Sequence, residues 1–276
     1  MEKKPISKAE RKAEQKICGF HACMAVFHNR PQDIIRAYVT EGTRKAFGPM
    51  LKFCAQNRLA YHLVEPADLA KVAESDHTEG VCILARIPKH PDFNTFLKSS
   101  AELQPDAPPH VVLWLVGVEN PHNVGAILRT AAHFGIAAVL VTPAGPGVSA
   151  SAPTRPDGWS LSGAAIRIAE GGAEHVPVIV ADGSVADTAR DLKRKGGFML
   201  YATSGHAKGH DLWTTEIKYP CVIALGAEGL GLPETVLKSA DATLRLAGTG
   251  KVESLNVSVA AGVIAAAATR ALRTPQ

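Results

Sequence analysis

The sequence predicts an α/β protein in two parts: a C-terminal domain on a mostly parallel, doubly wound sheet, preceded by a smaller α/β domain. Three observations predict it. After residue 110, six short apolar runs alternate with helical segments, the pattern of strands covered on both faces. A second helix–strand alternation fills the preceding stretch, and an interval carrying Pro91, Pro105, Pro108 and Pro109 separates the two. The length of 276 residues fits two domains of roughly 150 residues each.

Residues 1–16 read as a charged, partly helical extension. The front domain then occupies 17–98. Its first stretch, ICGFHACMAVFHNR, is an apolar pattern ending at Arg30-Pro31, and Ile34–Val39 follows as a strand. LKFCAQNRLA is a helix, Tyr61–Val64 a short strand, and Asp68 begins a helix after Pro66. VCILARIP is a strand that Pro88 stops. A linker covers 99–109, and the second domain covers 110–276. Its strands are VVLWLVGVE and the runs at 137–142, 176–181, 197–203, 221–226 and 242–247. Helices lie between them at Asn123–Phe134, Ser160–Ala169, Ser184–Lys195 and Pro233–Ser239, and a last one spans Leu255–Arg273. Ligands of such sheets bind in loops beyond the carboxyl ends of the strands.

Composition removes several function classes. Hydrophobic residues make up 46% and charged residues 20%, which excludes a disordered chain. The N-terminal residues have no apolar core behind their charges, so they are not a secretory signal. No uncharged apolar stretch reaches the roughly 20 residues that cross a membrane. The five cysteines, at 18, 23, 54, 82 and 221, have neither metal-site spacing nor an even disulfide framework, which points to reduced thiols in a cytoplasmic protein. His206 and His210 share a loop without a third ligand, and His175 reads as structural, so no metal is expected.

The net charge of +4 is unevenly spread. Residues 1–98 carry 16 Lys and Arg against 11 Asp and Glu, a balance of +5, and the remainder carries −1. That gradient fits an anionic partner held by the front domain, though solubility charge gives the same total.

Three segments after predicted strands hold the candidate chemistry. In VENPHNVGAILRTAAHFG, Asn123 is either a helix cap or a site residue, and Arg129 either a solvated cation or the fork that addresses an anion. In IALGAEGLGLPETVLKSAD, glycines 226, 229 and 231 surround Glu228, a turn residue or a placed carboxylate. The spacing is neither G-x-G-x-x-G nor a P-loop, which disfavours nicotinamide dinucleotides and nucleoside triphosphates. In GTGKVESLNVSVAAGVIAAAATR, Ser254 and Asn256 precede an apolar helix, Ser254 as its cap or as part of a site. A helix with so little polar surface is buried in the domain or in a subunit interface.

Together these segments resemble the three signature motifs of the SpoU (TrmH-type) RNA 2'-O-ribose methyltransferases of the SPOUT superfamily. NPHNVGAILRTAAHFG corresponds to the first, IALGAEGLGLP to the second and KVESLNVSVAAG to the third. EGGAEHVPVIVA is similar to the family's middle region. The resemblance covers about 109–273, and residues 14–98 resemble, more loosely, the substrate-recognition domain often attached in front.

The resemblance implies a deep trefoil knot in the C-terminal domain, S-adenosylmethionine (S-adenosyl-L-methionine) as methyl donor, and a homodimer whose site draws on both subunits. It implies that Thr203, Ser204, Gly205, Gly226, Leu246 and Leu255 hold the cofactor. Arg129 would handle the ribose 2'-OH, with Asn123, Glu228, Ser254 and Asn256 completing the catalytic set. The implied reaction is methylation of a ribose 2'-OH in tRNA or rRNA. The alternative is a non-catalytic RNA-binding or ribosome-assembly protein on the same scaffold. Arg11, Lys12, Lys16, Arg30, Arg44, Lys45, Lys52 and Arg58 are the cations available to RNA. One departure stands out: Ala247-Gly248 replaces the family's frequent Pro-Met pair, removing bulk beside the expected cofactor.

Overall fold

The computed structural model describes residues 14–104, 108, 110–143, 160–181, 183–205 and 209–270. In chain order the front elements are β1 (Glu14–Cys18), α1 (Phe20–Asn29), β2 (Ile34–Val39), α2 (Glu41–Arg44), α3 (Gly48–Gln56), β3 (Ala60–Leu63), α4 (Pro66–Ala73) and β4 (Val81–Arg86). Next come α5 (Phe93–Ala101), β5 (Val111–Val116), α6 (Pro121–Phe134), β6 (Ala138–Thr142), α7 (Gly163–Ile168), β7 (Val178–Val180) and α8 (Val185–Arg194). The last are β8 (Met199–Ser204), β9 (His210–Asp211), β10 (Cys221–Gly226), α9 (Glu234–Ser239), β11 (Ala242–Arg245) and α10 (Val257–Ala268).

The described residues fall into two compact units. The first holds a four-stranded mixed sheet in the order β1-β4-β2-β3. β4 runs antiparallel to both β1 and β2, while β2 and β3 are parallel. Residues 14–16, read from sequence as the end of a charged extension, instead open β1. Their mixed polarity suits an edge strand with one face covered, where Gln15 and Ile17 are buried. Residues 160–174 also belong to this unit. Ile166 of α7 enters its core beside Ile17, Val26 and Phe47.

A buried ion pair reinforces that arrangement. Arg30 donates from Nε to Glu174 at 2.6 Å and from Nη2 at 2.9 Å, and its third nitrogen reaches the carbonyl of Arg86. Side-chain exposure is 9% for Arg30 and 6% for Glu174. Arg30, expected among the RNA-facing cations, is therefore committed to the interior: its planar fork is held by the Glu174 carboxylate and the Arg86 carbonyl, with Asp33 a further 3.6 Å ion pair.

The second unit contains seven parallel strands in the order β7-β6-β5-β10-β8-β11-β9. The sequence predicts six; the seventh, β9, is two residues long and carries no periodic signal. All six residues of β5 are buried, and Trp114 satisfies its indole N–H on Thr142 at 2.9 Å. α5 lies in this unit, with Phe96 and Leu97 packed among Val112, Trp114 and Phe198. α10 ends at Ala268, short of the predicted Arg273; residues 271–276 lie outside the described residues. Among the described residues no helix is long and apolar enough to cross a membrane.

Candidate active site

Because every strand of the large sheet is parallel, the loops after β5, β8, β10 and β11 emerge at one edge. Those loops and the first turns of the helices they enter carry the polar residues singled out from sequence, apart from Arg129 further along α6. The loop after β5 leads into α6, which Asn120 caps by accepting the N–H of His122. Asn123 is thus not the cap. It is 6% exposed, and its side chain serves a different purpose.

Asn123 Nδ2 donates to Glu228 Oε1 at 2.9 Å. Asn256 Nδ2 donates to the same oxygen at 2.7 Å and to Asn123 Oδ1 at 3.0 Å. Residues 105 and 28 positions apart in the chain from Glu228 thus close a triangle around one carboxylate oxygen. α6 and α10 pack together, with Gly262 facing Thr130. Asn256 meets Asn123 at one end and Gly262 meets Thr130 further along, so the two helices run the same way and their N-terminal turns share a site.

The orientation of Asn256 is fixed from its other side. Its Oδ1 accepts the N–H of Ser258 at 2.9 Å and the Ser258 hydroxyl at 2.6 Å. With that oxygen occupied, the amide nitrogen must face Glu228 and Asn123. Asn256, rather than Ser254, is the cap of α10. The sequence reading missed Ser258 as a site residue; the N-x-S spacing at a helix start was the available signal. Arg129 stands at an exposed position of α6, six residues and about 9 Å of helix rise beyond Asn123.

Beside this cluster lies a cleft of about 800 Å³. Thr203, Ser204, Gly205, Gly226, Leu246 and Leu255 all line it, as do Glu228 and Ser254. Trp213, 55% exposed, lines it too and was not anticipated. The walls are largely backbone brought close together. A Cβ on Gly226 would fall 2.2 Å from the carbonyl carbon of Gly231, and one on Gly205 would fall 3.2 Å from the Glu253 oxygen. The loop after β10 doubles back through a bond from Gly231 N to Ala227 O at 2.9 Å, so only glycine fits at 226. At Gly248 a Cβ would meet nothing within 4 Å, so the residue leaves open space at the rim. A cleft of this size, lined by small residues and peptide groups, suits a nucleoside-sized ligand. Among the described residues no three His, Cys, Asp or Glu side chains gather as a metal site, and His206 lies outside them.

The first unit has its own concavity, of about 530 Å³, lined by Arg44, Lys45, Lys52 and Tyr61 together with Glu41. Arg44 leans on Glu41 at 3.4 Å yet keeps 59% of its side chain exposed. Arg58 is exposed, and Lys16 is paired with Glu74 at 2.6 Å. Arg11 and Lys12 lie outside the described residues.

Residues 110–266 match the SpoU rRNA methylase family, and residues 16–91 match the RNA 2'-O ribose methyltransferase substrate-binding family. The uncharacterized tRNA/rRNA methyltransferase YfiF of Escherichia coli O157:H7 is 36% identical over 259 residues, covering 94% of this chain and 69% of that protein. The 23S rRNA (guanosine-2'-O-)-methyltransferase RlmB of Pasteurella multocida is 32% identical over 250 residues, covering 90% of this chain and 95% of its own. A crystal structure of an RNA 2'-O ribose methyltransferase aligns with a TM-score of 0.69 at 27% identity, covering 96% of this chain and 92% of that one.

Proposed function

The chain belongs to the SpoU rRNA methylase family, and from that premise we propose how its residues carry out S-adenosylmethionine-dependent 2'-O-ribose methylation of tRNA or rRNA. The observation that carries the reading is the triangle of Asn123, Glu228 and Asn256, whose Glu228 lines a glycine-walled cleft. Thr203, Ser204, Gly205, Gly226, Leu246 and Leu255 would hold the cofactor, largely through backbone groups. When bound, the cofactor supplies an electrophilic sulfonium methyl group.

The protein's task is to place a ribose 2'-oxygen against it. Glu228 Oε1 is saturated by two amide N–H groups, which fixes the carboxylate in one orientation. Its second oxygen then has a defined direction in which to accept a hydrogen bond from substrate. Arg129 addresses the 2'-OH as a charged donor. A guanidinium does not lose its proton in a protein, so it orients the hydroxyl and stabilises developing negative charge, and a neighbouring RNA phosphate takes up the proton. Ser254 shapes the loop between cofactor and ribose. Holding the two reactants in line supplies much of the rate.

Methyl transfer from radiolabelled cofactor to bulk RNA tests the assignment. Glu228→Ala removes the shared acceptor and lowers kcat about 100-fold through misplacement of both amides. Glu228→Gln keeps one carbonyl oxygen for those amides and retains more activity than the alanine variant. Equal losses in the two would show that the carboxylate acts by its charge and not by positioning. Gly226→Ala, whose new methyl collides with Gly231, weakens cofactor binding at least about tenfold by calorimetry. Parent-like affinity would remove Gly226 from the cofactor wall.

We assign RNA contact in the first unit to Arg44, Lys45, Lys52 and Arg58, where three of the cations flank the exposed ring of Tyr61. Neutralising Lys45 and Lys52 together lowers RNA affinity and reduces the slope of log affinity against log salt by about 1.5. An unchanged slope would place the RNA elsewhere. The homodimer reading is supported by Val259, 54% exposed on the otherwise apolar α10, and by Leu230, 89% exposed in the loop beside Glu228. The trefoil knot is supported by the insertion of β10 between β5 and β8 beside the loop that leads into α10. Five thiols without a disulfide fit a reducing, cytoplasmic setting.

A further inference from the structure

We propose that Cys18 and Cys82 are an oxidation site, closing a reversible cross-strand disulfide between β1 and β4 in the first unit. The methyltransferase reading uses neither residue, and neither belongs to the cleft or the basic concavity.

The geometry is set by the ladder. Cys18 and Cys82 are direct partners in the antiparallel register. Gly80 gives its carbonyl to Thr40 N at 2.9 Å, and Tyr38 of β2 pairs with Cys82. Backbone polar groups alternate along a strand, so those of Cys82 address β2 and leave Cys18 opposite it as a non-hydrogen-bonded pair. Such pairs bring the two Cα atoms to about 4.5 Å. That lies within the range of about 4.4–6.8 Å that a disulfide spans. Both side chains project from the same face, beneath α4, among Leu69 and Ala73.

The two sulfurs are chemically unequal. The neighbouring Cys82 thiol, with the charges of Lys16 and Arg167, holds Cys18 below the ordinary thiol range despite burial. Cys18 beside it, with burial, raises Cys82 far above that range. Arg167 is near because Gly19 has no side chain; a Cβ there would sit 2.9 Å from its Cγ. Lys16 shares the face of Cys18 two residues away. Cys18, more exposed at 8% against 1% for Cys82 and next in the chain to the glycine that Arg167 packs on, is thus the nucleophile and Cys82 the resolving thiol. Burial raises Cys23 and Cys54, and pushes Cys221 up to about 12, so these remain thiols.

With a hydroperoxide as oxidant, the Cys18 thiolate attacks one oxygen. The O–O bond breaks, and for hydrogen peroxide the departing hydroxide takes a proton to become water. Cys82 then attacks the sulfenic sulfur and displaces a second hydroxide, which leaves as water with the Cys82 proton. Two electrons pass from the thiols to the peroxide, and an added dithiol reverses the link by exchange.

The test uses the full chain, reduced, exposed to hydrogen peroxide, then alkylated in denaturant, digested and analysed by mass spectrometry. The expected result is a Cys18–Cys82 linked peptide pair lighter by two hydrogens, with Cys54 and Cys221 alkylated and dithiothreitol restoring both thiols. Cys82→Ser should stop at a sulfenic acid on Cys18 that dimedone traps, and Cys18→Ser should leave Cys82 a thiol. Full alkylation of Cys18 and Cys82 after oxidation, or a link from either one to Cys23, overturns the proposal.

Discussion

Replacing Arg129 by alanine is expected to lower kcat/KM for RNA methylation by about 1,000-fold, within the range that removal of a positioned donor to developing negative charge produces. Arg129 occupies an exposed position on α6, so its loss leaves the sheet core untouched. Stability should change by less than about 1 kcal/mol. Cofactor affinity should stay at the parent value, since none of the six assigned cofactor residues lies on α6. Arg129→Lys keeps the charge but loses the planar fork, so it should recover only part of the rate. The measurement is initial-rate methyl transfer alongside calorimetric cofactor titration. An alanine variant within about tenfold of the parent would remove Arg129 from the reacting centre.

The second large effect is on folding. Arg30→Ala is expected to destabilise the first unit by about 3–5 kcal/mol, because it leaves Glu174 buried as an unpaired carboxylate and frees the Arg86 carbonyl. Glu174→Ala should cost less, because the guanidinium keeps Asp33 at 3.6 Å and the Arg86 carbonyl. The double change Arg30→Met with Glu174→Leu removes both charges and keeps apolar volume, so most of the loss should be recovered. Urea unfolding followed on the single and double variants measures the coupling. If the double variant loses the sum of the singles, the pair does not act as a buried ion pair. The first unit depends on this contact because it ties residues near 174 to the sheet formed by residues 14–86.

That ion pair also marks where sequence reading reaches its end. Arg30 and Glu174 are separated by 144 positions. Nothing local distinguishes Arg30 from Arg44 or Arg58, so all three read as surface cations. β1 was hidden for a similar reason: Glu14 and Lys16 give it the composition of a solvated tail, and only β4 beside it makes a strand. β5, by contrast, was plain in the sequence, since six consecutive apolar residues satisfy a strand buried on both faces.

The polar cluster of Asn123, Glu228 and Asn256 divides the same way. Asn123, Glu228 and Asn256 were found as motif residues, each with a capping or turn role standing beside a functional one. Distances show where each side chain is engaged: Asn120 caps α6, Asn123 turns inward to Glu228, and Asn256 caps α10 through its oxygen while its nitrogen completes the triangle. Trp213 entered the site only through folding, because its place depends on which neighbours the loops bring to it, whereas Ser258 had a local signal in its spacing from Asn256.

By itself the sequence determined the α/β class, the parallel character of the large sheet, the family and the motif loops, because these follow from short-range periodicity and from residue types at fixed spacing. Tertiary structure alone decided that residues 160–174 join the front unit, that Arg30 is interior, that Cys18 faces Cys82, and that three polar side chains share one oxygen. Each of these is a contact between positions far apart in the chain. Such contacts are set by how strands register and helices pack, which no local pattern encodes.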